Sequence, residues 1–464
     1  MSQPPTAPPA AAGAAAPPPD PPPWRMALTE GLATMRAAAR TEPGRLRMTG
    51  AAVAALLVLF GAVTAWQTSG RSSAADHVLA SSQPLSAAAA GVYRSLADAN
   101  TTATAAFLAG SEEEPAVMSR YADDIGSAAR LLAEAAARGE GTGESQRLIE
   151  TLSQELPRYT GLVETARAIN RQGLPLGGAY LRYADELMQE LLSLADRLYA
   201  LESARLRQDV DQARSWPWLA LAAGTACLAV LAWAQLREYR RTNRVFNPGL
   251  LAATAAAAAL LVWLAGSHAV ARTHLNEARN DAAASLSVLT DAWAEALQAR
   301  GDENMVLVAR GAGEQFEDSY AAHMADLAGP SGGAEDTGED AGLLGRAADL
   351  AGDDRGRQWV ENALRATGEW RDRHQEAREQ ERLGDYDGAV ERVTGGQGST
   401  RESFDQVDDA LEGAVGHEQE RFERAATGGR DALDGLSPAA ALALAALGAL
   451  AAVLGIGSRL SEYR

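Results

Sequence analysis

Arginine is the only strongly basic side chain available for chemistry in this chain, because all 42 positions counted as lysine or arginine are arginine. Two of them flank a Gly-Leu-Pro stretch with neighbours of suitable type: Arg171 with Gln172, and Arg182 with Tyr180. A guanidinium is a planar fork that takes a carboxylate through two parallel hydrogen bonds, so these four residues form a candidate set for binding a carboxylate ligand or an acidic partner surface. Most exposed arginines merely solvate a helix face or pair with a neighbour, and that is the alternative for each of them.

Other chemistry is excluded by what is missing. A Walker-type phosphate loop, a kinase nucleotide site and a Schiff base all need lysine. The single cysteine, Cys227, lies inside an apolar run and cannot staple a polar domain. The six histidines, His77, His268, His274, His323, His374 and His417, show no compact zinc spacing. His374 falls on a helical seam and reads as a hydrogen-bonded core residue. Asp385, Asp387 and Gly388 resemble the start of a calcium loop, but the later ligands and closing glutamate are absent, so a turn is expected. Carboxylates are too abundant for any pair to stand out as acid and base. The expectation is a non-enzymatic protein with no catalytic residues, metal or cofactor.

The elements that must position the arginines are set by four uncharged runs, Met48 to Gly70, Ser215 to Leu236, Val245 to Ala271 and Leu436 to Ser458. Each meets the length of about 20 residues that an apolar helix needs to cross a bilayer. The last is rich in alanine, but its leucines, valine and isoleucine supply roughly −2 to −4 kcal/mol toward insertion with no charge to oppose them. None of the runs contains a buried Asp, Glu or Arg, which disfavours an ion-coupled transporter. Arginines crowd the segment before the first run, the turn Arg237 to Arg244 and the C-terminal end, so those parts are expected in the cytoplasm and the long polar segments outside. The polar segments are acidic: Arg71 to Arg214 holds 14 arginines against 20 acids, and Arg272 to Asp434 holds 17 against 36. No nucleic acid is expected as a partner, since phosphate binding needs a basic face.

The expected order is a cytoplasmic Pro/Ala-rich tail with an amphipathic helix (1–47), a span (48–70), an extracytoplasmic bundle (71–214), a span (215–236), an arginine-rich cytoplasmic loop (237–247), a span (248–271), a second bundle (272–435), a span (436–458) and a cytoplasmic tail (459–464). The fold class is an all-α membrane protein with two tandem four-helix bundles. Leu85, Ala89, Val92, Leu96, Ala99, Ala103 and Ala106 recur at alternating steps of four and three, as do Ala184, Leu187, Leu191, Leu194, Leu198 and Leu201, which are seams of packed helices. In the second segment Val360, Ala363, Thr367, Trp370 and His374 mark one helix, and Phe404, Val407, Leu411 and Ala414 another. Ser111 with Glu114, and Ser399 with Glu402, have capping-box spacing. The turns Gly110 to Glu114 and Arg171 to Gly178 are expected at the tip farthest from the membrane, and Gly384 to Gly398 is expected as a turn.

Leu236-Arg237-Glu238-Tyr239-Arg240 returns as Leu460-Ser461-Glu462-Tyr463-Arg464, and Pro217 returns as Pro438. We read a tandem duplication of span, bundle, span. Each proline sits where a bundle helix meets its span, so each is a candidate signal hinge. Arg237, Arg240, Arg241 and Arg244 are the candidate cytoplasmic output surface.

Span, helical bundle, span is the layout of the outer half of chemoreceptors. The chain as a whole resembles the actinobacterial GlnX-type four-span membrane proteins, through Ala105-Ala106-Phe107-Leu108-Ala109-Gly110, Asn170-Arg171-Gln172-Gly173-Leu174-Pro175, Ala179-Tyr180-Leu181-Arg182 and the two Glu-Tyr-Arg endings. The resemblance implies a transducer that reports glutamate or aspartate status from an extracytoplasmic solute-binding lipoprotein to a cytoplasmic Ser/Thr protein kinase of the protein kinase G type. A homodimer is compatible with this layout. The rival from another class is a structural envelope scaffold that carries no signal.

Overall fold

The structure is a computed structural model that describes residues 42–110, 115–138, 143–242, 247–330, 341–435 and 437–461. Among these residues the chain is helical and contains no strand. Four stretches, Arg47–Ala109, Leu176–Arg240, Pro248–Val308 and Thr400–Gly457, are long and apolar enough to cross a membrane. The fold is therefore that of an all-α, multi-pass membrane protein. The amphipathic segment Trp24 to Ala39, the capping box Ser111 to Glu114, Arg244 and the last Glu-Tyr-Arg lie outside the described residues.

In chain order, α1 (Glu42–His77) passes through a π-helical turn (Val78–Ser82) into α2 (Gln83–Ala109); α3 (Pro115–Arg138), α4 (Gly143–Asn170) and α5 (Leu176–Ala213) follow. Then come α6 (Trp218–Thr242) and α7 (Pro248–Asn276), a second π-helical turn (Glu277–Ala282), α8 (Ala283–Val308), α9 (Glu314–Ala328) and α10 (Gly342–Leu350). The chain ends with α11 (Asp354–Arg382), α12 (Tyr386–Thr394), α13 (Thr400–Asp434) and α14 (Pro438–Ser461). The two halves repeat one asymmetry. The helix leaving each odd-numbered span runs on without a break, accommodating its change of register in a π turn. The helix returning to each even-numbered span stops, at Ala213 before Pro217 and at Asp434 before Pro438.

Two compact units emerge. The smaller combines the start of α1 with much of α6, α7 and α14. Its core is Val53 and Leu57, Cys227 and Leu231, Leu250 and Ala253, and Ala452 and Ile456, one pair from each span. Asn247 caps α7: its Oδ1 accepts from Gly249 N at 3.1 Å while Pro248 occupies the first turn, where a missing N–H costs nothing. Val58, Leu59 and Leu447 point outward at 51%, 55% and 62% exposure, an arrangement that suits lipid and not water.

The larger unit holds α2 to α5 and α8 to α13. Leu96, Ala99 and Ala103, and Val360, Ala363, Thr367 and Trp370, are buried where the spacing predicts; on α5 Ala184, Leu191 and Leu198 are buried while Leu187, Leu194 and Leu201 are half-buried, the core face turning toward Met188, Leu192 and Ala195. The two sets of helices share a single continuous core, in which Leu96 and Tyr159 belong with Leu289, Trp370 and Leu411. They join along α2 and α8. Asn304, fully buried, donates to Thr101 O at 3.3 Å and Thr104 Oγ1 at 3.1 Å, and Thr101 Oγ1 lies 3.3 Å from Leu297 O. Two expectations need correction. The turn at Arg171 is shorter than expected, because α5 starts at Leu176. The stretch Gly384 to Gly398 contains α12, whose first turn Asp385 caps by accepting from Gly388 N at 3.0 Å. The Asp385, Asp387, Gly388 pattern is thus a helix N-cap.

Candidate functional site

The tip is where α4 turns into α5. Gly173 takes a left-handed conformation (φ 70°) that releases the chain from α4, and its N–H bonds back to Asn170 O at 2.8 Å. Asn170 Nδ2 donates to Phe107 O at 2.8 Å, which ties this turn to the end of α2. The structure places Arg171 and Gln172 on the exposed turn, where Gln172 Nε2 donates to Ala168 O of its own helix at 3.1 Å. Arg182 is exposed in the second turn of α5, and Tyr180 packs against a small apolar cluster with Ala166, Leu181 and Met305. The four residues do not enclose a cavity. Between the two arginines lie Leu174 and Leu176, at 50% and 57% exposure, with Tyr183 beside them at 58%. The sequence reading missed these three, although an apolar residue on each side of Pro175 in a turn was the available signal.

Below the tip, the joint between the two sets of helices is built around charge. Arg120 of α3 reaches Asp98 of α2 and Asp408 of α13, each at 3.3 Å, and Asp405 at 3.9 Å. Asp408 Oδ1 also accepts from Trp293 Nε1 of α8 at 2.7 Å. Burial, and then the Asp98 charge, push Asp124 up to about 7 and Asp408 up to about 6. A cleft of about 1170 Å³ opens on this joint, lined by Asp98, Asp387, Glu391, Glu402, Asp405 and Asp409 together with Arg120, Arg300 and Arg401. Its excess of carboxylates suits a cation or zwitterion better than a dicarboxylate.

Deeper still is a closed polar chain. Glu303 of α8 accepts from His374 Nδ1 at 2.9 Å, Trp370 Nε1 at 3.1 Å and Thr400 Oγ1 at 3.1 Å, and it pairs with Arg300. His374 Nε2 faces Glu317 at 3.3 Å, and its ring stacks on Tyr320. Burial lowers the His374 pKa, but hydrogen bonds and charge from Glu303 and Glu317 outweigh that and raise it above its ordinary value. The network is structural in geometry, with Glu303, Arg300, Trp370, His374 and Thr400 bonded to one another in the buried interior.

These shifts fix a pH dependence. A carboxyl whose pKa is raised in the folded state holds its proton more tightly folded than unfolded, so Asp124 and Asp408 favour the fold as pH falls from above 7 toward 4. The contribution of His374 is complete below its ordinary value and is lost as pH rises through its raised one. Both act in one direction. The thermal midpoint of the protein in nanodiscs is expected to rise by a few degrees between pH 8 and pH 5.5, and the double change Asp124→Asn, Asp408→Asn should reduce that rise, leaving the part that His374 supplies.

At the hinges, Arg71 donates to Ser215 O at 2.7 Å and Trp216 O at 3.0 Å, and Gln67 Oε1 accepts from Ala220 N at 2.9 Å. The carbonyls and the amide freed by the break before Pro217 therefore find partners on α1. At Pro438, Ser437 Oγ accepts from Ala440 N at 3.2 Å and caps α14. Of the output arginines, Arg237 stacks over Trp233 at 5.2 Å and Arg240 is exposed; the side chains of Arg241 and Arg244 lie outside the described residues.

Helices of this length and polarity, with four stretches apolar and long enough to cross a bilayer and a large polar helical unit, define a multi-pass, all-α membrane protein. Residues 74–211, the π turn and helices α2 to α5, are similar to a family described as an actinobacterial sensor domain. No curated protein and no solved structure matches the chain. The matched segment carries the tip, Asp98, Arg120 and the α2 face of the joint, so a sensing role attaches to the part of the chain where these groups lie.

Proposed function

We propose that the chain is a non-catalytic transmembrane signal transducer that reports extracytoplasmic glutamate or aspartate status, delivered by a solute-binding lipoprotein, to a cytoplasmic Ser/Thr protein kinase. The observation that carries this reading is helical continuity. Arg47–Ala109 and Pro248–Val308 each run from an apolar stretch into the shared core, where they pack on each other through Asn304, Thr101 and Thr104. A shift of one helix against the other at the tip is then carried along a continuous helix and not through a loop. The arginine-rich turn and both basic ends support a cytoplasmic side for the output.

The exposed Leu174, Leu176 and Tyr183, edged by Arg171 and Arg182, have the make-up of a protein contact: apolar centre, arginine rim. The acidic lining of the large cleft argues that an acidic amino acid is held by the partner protein instead of by this chain. Affinity purification of the tagged full-length protein from its native membrane is expected to bring down both a solute-binding lipoprotein and a Ser/Thr kinase. Arg171→Ala with Arg182→Ala should cut lipoprotein capture about tenfold, consistent with the loss of two rim arginines at about 1.4 kcal/mol per decade in total, while kinase capture stays. Unchanged lipoprotein capture would remove the tip from the proposal. A second readout uses cysteine pairs placed across Pro217 and Pro438 in a Cys227→Ser background. A transducer changes its crosslinking pattern when glutamate is added in the presence of the lipoprotein; an inert scaffold gives the same pattern throughout.

A further inference from the structure

The larger unit contains a second cavity, of about 590 Å³, bounded by α2, α5, the second π turn, α8 and α13. Its body is apolar: Ala87 and Gly91 of α2, Leu286 and Leu297 of α8, and Val415 and Phe422 of α13. Its polar groups are of one kind. Arg94, Arg207 and Arg279 line it, and among the described residues its wall includes no aspartate or glutamate. That is the reverse of its surroundings, since the two polar segments together carry far more acids than arginines. Chance placement of wall residues in so acidic a region would have put carboxylates here.

The three arginines differ in how they are held. Arg279 is anchored by Asp211 at 2.7 Å. Arg94 lies over the face of Trp293 at 4.4 Å, a contact that leaves the guanidinium edge available to an anion. Arg207 is exposed at the rim, and among the described residues neither it nor Arg94 forms a salt bridge with a carboxylate. The hydroxyls of Ser86 and Ser203, 3.1 Å apart, add neutral groups along the same wall.

We infer that this cavity is a binding site for a small anionic amphiphile, whose carboxylate or phosphate head meets Arg94 and Arg207 while its apolar body fills the space between α2, α8 and α13. The volume is within the range of about 300 to 1,000 Å³ typical of sites for small ligands. This goes beyond the relay proposed above and does not depend on it, because the ligand class and the residues are different. Its walls come from both halves of the chain, so an occupant bridges α2 and α8, the two helices that continue from spans.

The test uses the full-length protein in nanodiscs of zwitterionic lipid, titrated calorimetrically with decanoate against empty nanodiscs as blank. Decanoate is expected to bind one to one, and decanol and decyltrimethylammonium at least tenfold more weakly. Arg94→Met with Arg207→Met should weaken decanoate about tenfold or more, Arg94→Lys with Arg207→Lys should restore most of it, and Ala284→Phe should block it by filling the cavity. Thermal midpoints of all variants are checked first, and the lysine pair keeps the test decisive if the methionine pair misfolds. Should decanoate fail, native mass spectrometry decides whether the head group belongs to a membrane lipid. An acidic phospholipid retained by the wild-type protein and lost in Ala284→Phe supports the site. Decanol binding as tightly as decanoate, or neither decanoate nor acidic lipid responding to the variants, overturns it.

Discussion

Glu303→Ala is expected to remove about 3 to 5 kcal/mol of fold stability, the cost of stranding a buried charge. Glu303 is 1% exposed, and the groups that would lose it are Arg300 at 2% and His374 at 4% exposure. Charge and hydrogen bonds from Arg300 and His374 overcome the penalty of burial and hold the Glu303 carboxyl below its usual range, so it is ionised in the fold. Without it, Arg300 keeps its bonds to Val393 O at 3.0 Å and Thr400 Oγ1 at 2.8 Å but loses its ion-pair partner, and Trp370 Nε1 has no acceptor. Arg300 is what fastens α12 to α8 and α13, so hydrogen exchange should rise first at Tyr386–Thr394. Glu303→Gln keeps acceptor geometry without charge and should lose less. The pair Arg300→Met, Glu303→Leu should recover most of the loss, because replacing a buried ion pair with apolar groups of similar volume is close to neutral. Urea titration of the nanodisc-embedded protein measures all three. A loss below about 1 kcal/mol for Glu303→Ala would show that the network is dispensable.

The helices were readable in advance for a plain physical reason: one face of each is apolar at a spacing close to 3.6, and alanine, leucine and valine on that face leave no other way to satisfy it. Leu85 to Ala106 and Val360 to His374 are buried along that stripe, and even His374 was legible as a hydrogen-bonded core residue. What periodicity could not disclose was partnership. Asn304 and Thr101 are polar residues on otherwise apolar helices, separated by 203 positions, and only the fold reveals that they lock α2 to α8. The clamp of Arg71 on Ser215 and Trp216 is long-range in the same way. Helix α12 was hidden because its nine residues lie between glycines that read as a turn. Of the candidate site, the arginines of the tip could be named from type and position, whereas the cavity without acids draws its wall from several helices and has no linear signature.

Gly249→Val is expected to be the most damaging single change among the spans. A Cβ at position 249 would lie 2.4 Å from both Ala451 O and Gly455 Cα, and one at 455 would lie 2.6 Å from Gly249 Cα. These are backbone atoms, which cannot rotate aside as a side chain does, so α7 and α14 must separate. Close approach of small residues is the main source of helix association in lipid, where burial of apolar surface supplies no drive. Separation also breaks the bond from Asn247 Nδ2 to Gly455 O at 3.0 Å. The cost should reach or exceed the usual 1 to 3 kcal/mol of overpacking, because backbone displacement adds to side-chain strain. Gly266, on the same helix with nothing within 4 Å of its would-be Cβ, is the control. Gly266→Val should leave the unfolding midpoint in SDS titration nearly unchanged while Gly249→Val lowers it clearly. Gly249→Ala should fall between them but closer to the valine variant, since the first carbon already meets the obstacle and later ones add little. Equal midpoints for Gly249→Val and Gly266→Val would mean that α7 and α14 do not meet at these glycines.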